Sequence, residues 1–350
     1  MSHPTLVALA VGVLGALAVL LLALFGTAVM PSYLGAWLFI LALPLGALPV
    51  VMGCELLGLP ETLLAATLRR LVAVMPLAAI LALPVLLRLG VLYPSLGTAT
   101  NGLPAWWMTP GFFLARAILF LAAWTALCVV FARPVGRAPA LDARRPLLAA
   151  AGLMVHVVMG TLAADDWAQS VEPRFNSSAF GLLLIAAQCS IAVSLAVVMT
   201  TTGRRDRMAT QHVATALAVL LAIWGFMTFT QFLVVWSANL PREVIWYQHR
   251  AAGLGLAAEY SAGILCALAL ATLLPQSFAR RAGLVAWVGA ALLVMHGLEM
   301  LWLVTPAFRS AFTLTLADGL AIAAAAGLGI GLALHVGERS SDGRVGRGAA

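Results

Sequence analysis

The chain has 350 residues, of which 63% are hydrophobic and only 9% charged, with a mean hydropathy of +1.03. So little polar surface excludes a soluble globule; lipid must be the main solvent, and the length counts membrane spans rather than soluble domains. The net charge of +7 does not mark a nucleic-acid binder, because all 20 basic residues are arginines in short loops and none forms a patch on a soluble fold.

Ten apolar stretches follow one another, near 6–29, 35–58, 71–92, 112–132, 147–165, 179–200, 212–236, 252–274, 282–304 and 314–336. Backbone groups in lipid must be satisfied within their own segment, so each stretch predicts a helix. The expected fold is therefore all-α and polytopic: one transmembrane helical domain over 1–337 and a polar, Gly-rich tail over 338–350 that reads as disordered. The opening "MSHPT" lacks the basic start of a cleavable signal, and the apolar run after it is too long for one. Pro44 and Pro49 in the second stretch, and Pro76 and Pro84 in the third, predict kinks. Cys54, Cys128, Cys189 and Cys266 fall singly in different stretches, which predicts packing rather than a disulfide or metal framework.

Orientation follows from the arginines. The loops after stretches 2, 4, 6 and 8, with the tail, hold 14 of them, and the opposite side keeps Arg88, Arg116, Arg174, Arg242, Arg250 and Arg309. The positive-inside rule puts both termini in the cytoplasm, and the expected location is a bacterial inner membrane. Three unusual loops then face the periplasm: "YPSLGTATNGLPAWWMTPG", "ADDWAQSVEPRFNSS" and "SANLPREVIWYQHR". Trp106, Trp107, Trp167, Trp236 and Trp246 lie at this boundary, where an aromatic belt is expected. Asp165, Asp166 and Glu172 form an acidic cluster beside them, readable as solvated helix-end charges, a proton-collecting mouth or a docking surface.

Ionisable side chains inside spans cost about 2.5–3.5 kcal/mol on insertion scales, so each is a candidate functional residue. His296 and Glu299, three apart in "MHGLEMLW", share a helix face. Glu259, Asp318 and Gln231 lie toward the outer ends of stretches 8, 10 and 7, which suggests one polar cavity open to the periplasm. His156 sits near mid-membrane in stretch 5, and Glu55 at the cytoplasmic end of stretch 2 reads either as a proton entry or as a helix-end charge. His156 and His296 are also the one histidine pair at a depth suited to haem b.

Two outer segments resemble a known family. "DDWAQSVEPRFNSSAFG" is similar to its pattern DW-x-S-L-x-P-H-W-F-S-T-x-x-G, through Asp166, Trp167, Ser170, Pro173, Phe175, Ser177 and Gly181. "FTQFLVVWSANLPREVIW" is similar to F-S-Q-F-x-L-I-W-Y-A-N-I-P-E-E, through Phe229, Gln231, Phe232, Trp236, Ala238, Asn239, Pro241 and Glu243. The family is the quinone-binding subunit 2 (ActF-type) of bacterial alternative complex III, a quinol:cytochrome c oxidoreductase, related to membrane subunits of the NrfD/polysulfide-reductase type. The likeness covers residues 165 to 245; Arg174, Ser237 and Arg242 replace the pattern's His, Tyr and first Glu.

This resemblance implies ten helices, eight of them in two four-helix bundles and two peripheral. It implies no metal or cofactor bound by this subunit itself, with quinol or quinone as its ligand. Its partners would be an iron–sulfur subunit, a multihaem cytochrome c and a second NrfD-like membrane subunit. His296, Glu299, Glu259 and Asp318 would then relay protons or touch the quinol headgroup, with Gln231 as a polar contact and Asp165 and Asp166 at the exit. A structural scaffold of a respiratory supercomplex and a secondary transporter remain alternative readings. The topology is directly testable: in intact cells a membrane-impermeant thiol reagent should label Ser237→Cys but not Ser341→Cys, and the reverse pattern would invert the assignment.

Overall fold

The computed structural model describes residues 1–24, 28–98, 104–134, 142–201 and 207–345. Arg137, Arg204, Arg205 and Arg347 of the arginine count lie outside these residues. Ten helices are long and apolar enough to cross a membrane. They are α1 (His3–Leu24), α2 (Met30–Leu56), α3 (Leu63–Leu87), α4 (Pro110–Phe131), α5 (Arg145–Trp167), α6 (Phe180–Thr201), α7 (Arg207–Ala238), α8 (Gly255–Leu273), α9 (Ala282–Val304) and α10 (Leu316–Val345). Among the described residues the sole β feature is an isolated bridge between Gly253 and Phe312. The chain is an all-α, multi-pass membrane protein, as its composition requires.

All-round apolarity suits any membrane span, and among the spans α2 and α6 are the ones whose side chains are mostly buried inside the protein. The two helices cross so closely that a Cβ on Gly46 would lie 1.8 Å from the Gln188 carbonyl oxygen. Around this pair, α3, α4 and α5 pack with α2; α7 and α9 pack with α6, and α8 packs against α7 and α9, giving two four-helix groups. α5 joins the groups from the side, where a Cβ on Gly181 of α6 would come within 2.6 Å of the Thr161 backbone. α1 and α10 stand outside both groups, and α1 rests almost entirely on α10 through Gly12 and Gly327. Small residues let helix backbones approach in this way where no hydrophobic driving force exists between helices in lipid.

Proline acts differently in α2 and α3. α2 runs as one helix through Pro44 and Pro49. α3 is broken: its pieces are Leu63–Val72, Met75–Ile80 and Leu83–Leu87, and the later two begin with Pro76 and Pro84 in their first turns. The first turn is where proline's missing N–H is harmless.

Charged clasps close the ends. On the side of the termini, Glu55 receives Arg69 Nη1 at 2.6 Å and Arg145 Nε at 2.8 Å. The same two guanidinium groups donate to the carbonyls of Val130, Phe131 and Arg133. They thereby satisfy the bare carbonyls at the end of α4, where the helix dipole favours cations. Glu55 is thus fully engaged as a tie between α2, α3, α4 and α5. α10 continues past residue 337, and Glu338 accepts hydrogen bonds from the Ser2 amide and the Thr5 hydroxyl, so the folded part extends beyond the expected boundary.

The α2–α6 crossing makes a sharp prediction. Gly46→Ala should destabilise the protein by about 3 kcal/mol, since backbone rather than a flexible side chain must move. Gly53→Ala, with nothing within 4 Å of the new methyl, should be neutral or stabilising. Denaturant unfolding in detergent would compare them.

Candidate functional site

The two segments that carry the family resemblance, more than fifty residues apart, meet at the end of the molecule away from the termini. Ser177, in the loop before α6, donates its hydroxyl proton to the Gln231 side-chain oxygen on α7 in a short hydrogen bond. Gln169 in turn accepts from the Ser177 amide at 3.1 Å. Nearby, Phe175 stacks on Trp246 with centroids 4.2 Å apart and an interplanar angle of 19°.

Trp246 belongs to an additional helix, Pro241–Ala251, in a stretch expected to be loop. Its sequence signals were present: Pro241 in the first turn, Glu243 beside it, and His249 and Arg250 in the last turn. Asn239 has a φ of +47°, the left-handed conformation that ends a helix and that Asn tolerates better than most residues. Asn239 and Pro241 thus work locally, ending α7 and starting the next helix. Arg250 is fully buried; it lies over the Trp246 ring and donates to the carbonyls of Trp246 and, at 2.6 Å, Leu303 at the end of α9. Burial pushes its guanidinium down to about 9, against the nearby Glu172, which still leaves it charged at neutral pH.

Roughly 6–10 Å deeper along α9, at 1.5 Å per residue, lies a second buried polar group. His296 is fully buried, and its Nδ1 is 2.6 Å from Glu299 Oε2. Its Nε2 is 2.9 Å from the Ser190 hydroxyl of α6. The other Glu299 oxygen accepts from Trp224 Nε1 of α7 at 2.9 Å, and the Trp224 ring meets the imidazole edge-on. Three helices of the second bundle therefore converge on one carboxylate–imidazole pair. With Glu299 ionised and His296 neutral, Nδ1 donates to the carboxylate and Nε2 accepts from Ser190. If His296 gains a proton, Ser190 need only turn its hydroxyl to accept. Either form of the imidazole can therefore be hydrogen-bonded without heavy-atom movement.

From Trp224, residues 228 and 231 continue on the same face of α7 at spacings of four and seven. Thr228 Oγ1 and Gln231 Nε2 are both buried without a hydrogen-bond partner. They place polar atoms between the His296–Glu299 pair and Ser177. Ser190, Trp224 and Thr228 were not singled out from the sequence. The 224/228/231 spacing was visible, but an indole and a hydroxyl carry no signal of their own in an apolar run.

The remaining candidates are elsewhere. Asp318 lies in the first turn of α10, where it and Thr315 each accept from the other's backbone amide, a capping box. It also holds Arg309 at 2.8 and 3.0 Å. It borders an apolar groove of about 320 Å³ between α2, α6, α9 and α10, which touches Gly297 and Leu301 on the face of α9 turned away from His296. Glu259 is partly buried on α8, where its charge, together with burial, pushes the Tyr247 hydroxyl well up. Among the described residues the hydrogen-bonded network joins α6, α7 and α9, and neither Asp318 nor Glu259 is hydrogen-bonded into it.

The acidic cluster is divided as well. Asp166 is buried and bound by Arg116 at 2.8 and 2.9 Å, with Trp107 Nε1 at 3.3 Å. Glu172 is paired with His249 at 2.9 Å, and Asp165 is half-buried, its carbonyl accepting from the Ser170 hydroxyl. Pro173 lies in the turn between Ser170 and Phe175. Of the expected aromatic belt, Trp106 and Trp236 are exposed, whereas Trp167 and Trp246 are core residues at 2% exposure. His156 is buried in the first bundle. It does not share a site with His296, whose two ring nitrogens are both engaged, so this pair does not suit haem.

Among the described residues no group of three or more His, Cys, Asp or Glu is placed to hold a metal ion. Compared with family models and with characterised proteins, the chain matches none.

Glu299→Leu should leave Trp224 Nε1 and His296 Nδ1 unpaired and cost about 2–6 kcal/mol, at 1–3 kcal/mol per orphaned group. Glu299→Gln keeps an acceptor for Trp224 and should cost clearly less, as read from thermal unfolding in detergent.

Proposed function

We propose that this chain is an integral membrane subunit of a quinol:electron-acceptor oxidoreductase of the alternative complex III type. In this reading it offers a proton path, with quinol access, that opens on the periplasmic side. One contact carries the reading: Ser177 from the first family-like segment bonds Gln231 from the second, directly above the buried His296–Glu299 pair. A likeness between two separated strings of residues gains weight when their polar members meet in three dimensions.

Oxidising a quinol releases two protons, and a desolvated carboxylate–imidazole pair is suited to receive them. His296 and Glu299 would be the acceptors, and Thr228, Gln231 and Ser177 would line the way out. The redox centres would belong to partners, an iron–sulfur subunit and a multihaem cytochrome c, beside a second NrfD-like membrane subunit.

Purification from native membranes tests this. The chain should bring with it subunits showing haem and iron–sulfur absorption, and the assembly should oxidise quinol. Glu299→Gln should assemble normally but slow quinol-linked proton release roughly 100-fold, the lower range of what a positioned acid–base group contributes. Recovery as a free-standing protein without redox partners would overturn the proposal.

A further inference from the structure

The first bundle contains a second polar centre that the proposed path does not use. Trp124 of α4, His156 and Trp167 of α5 are all at or below 2% exposure. The Trp124 ring centroid lies 6.1 Å from that of His156 and 6.0 Å from that of Trp167, both edge-on. Trp124 Nε1, Trp167 Nε1 and both ring nitrogens of His156 have no hydrogen-bond partner. Orphaned buried nitrogens are costly, and native proteins hold few of them. Four in one cluster of touching rings call for a common explanation.

Their neighbours do not supply one. Trp37 packs 4.9 Å from Trp167, but its own Nε1 is satisfied by the Ala78 carbonyl. Phe120 is apolar. Tyr93 gives its hydroxyl proton to the Trp167 carbonyl, and Arg116 and Asp166, toward the end of the bundle, are spent on each other.

We infer that Trp124, Trp167 and His156 enclose an internal site for water. One water would accept from the two indole N–H groups and donate to the unprotonated imidazole nitrogen and to a second water, which would accept from the imidazole N–H. Three hydrogen bonds are the usual complement of a buried water. A larger ligand is not required, and an apolar one would leave all four nitrogens bare. The site would place an imidazole with bound solvent inside the first bundle, independent of the His296–Glu299 network.

X-ray radiolytic footprinting reads this directly, because internal water generates hydroxyl radicals where it is bound. The wild-type protein in lipid nanodiscs should show oxidation of Trp124 and Trp167 while Trp37, equally buried but hydrogen-bonded to protein, stays unmodified. In His156→Phe the Trp124 and Trp167 labelling should fall away, with Trp37 still protected as the check that the bundle remains closed. If Trp124 and Trp167 are as silent as Trp37 in the wild type, the inference is wrong. Equal labelling of all three would also overturn it, since that reports a generally open bundle. The wild-type measurement stands even if the variant does not fold.

Discussion

At Gly46 the backbone of α2 lies against the Gln188 carbonyl of α6, closer than any side chain would permit. Most of the architecture follows from that approach. It turns two uniformly apolar helices into a shared axis, and the remaining spans can only gather around it, three to each side with α1 and α10 beyond. Gln188 is two residues before Ser190, so the same crossing fixes the depth and facing of the hydroxyl that holds His296. The polar network is precise because it hangs from a tightly constrained contact.

The buried charges fall into two kinds. Arg69–Glu55–Arg145, Arg116–Asp166 and Arg309–Asp318 are closed pairs whose remaining donors end on helix carbonyls, a hydroxyl or a capping box. Such groups are expensive to bury and strongly destabilising to break singly, and they fix helix ends rather than perform chemistry. Glu299 is different. Its partners are an indole and an imidazole, neither a fixed cation, and the column beyond it leaves Thr228 and Gln231 with capacity to spare. A carboxylate without a permanent counterion can change its protonation state; one clamped by arginine resists doing so.

Much of this was legible in the sequence. The ten spans, the all-α class and the His296–Glu299 pairing follow from hydropathy and from the three-residue spacing alone. The membership of the network was less legible, because depth along a helix is readable from sequence while rotation between helices is not. Asp318 lies at a suitable depth, but it is held in the capping box at the start of α10, and Glu259 sits on α8 away from the convergence. Trp167 and Trp246 stand at the membrane boundary by position, yet tertiary packing draws them into the core. The helix over Pro241–Ala251 was missed because its punctuation, Asn239 and Pro241, was taken as a chain leaving the membrane. The same two residues close one helix and open another.

The near-exclusive packing of α1 on α10 bears on how the chain is assembled. α1 enters the bilayer early, yet the helix that contacts it is made after eight others. Its window is the most apolar of the ten, with a hydropathy of 2.9, which suits a segment that must persist alone in lipid during synthesis. Gly12 and Gly327 then bring the two backbones together only when α10 arrives, and Glu338 fastens them at the membrane edge through Ser2 and Thr5. The outermost pair of helices can therefore form only once the last span has been made, joining an early segment to a late one.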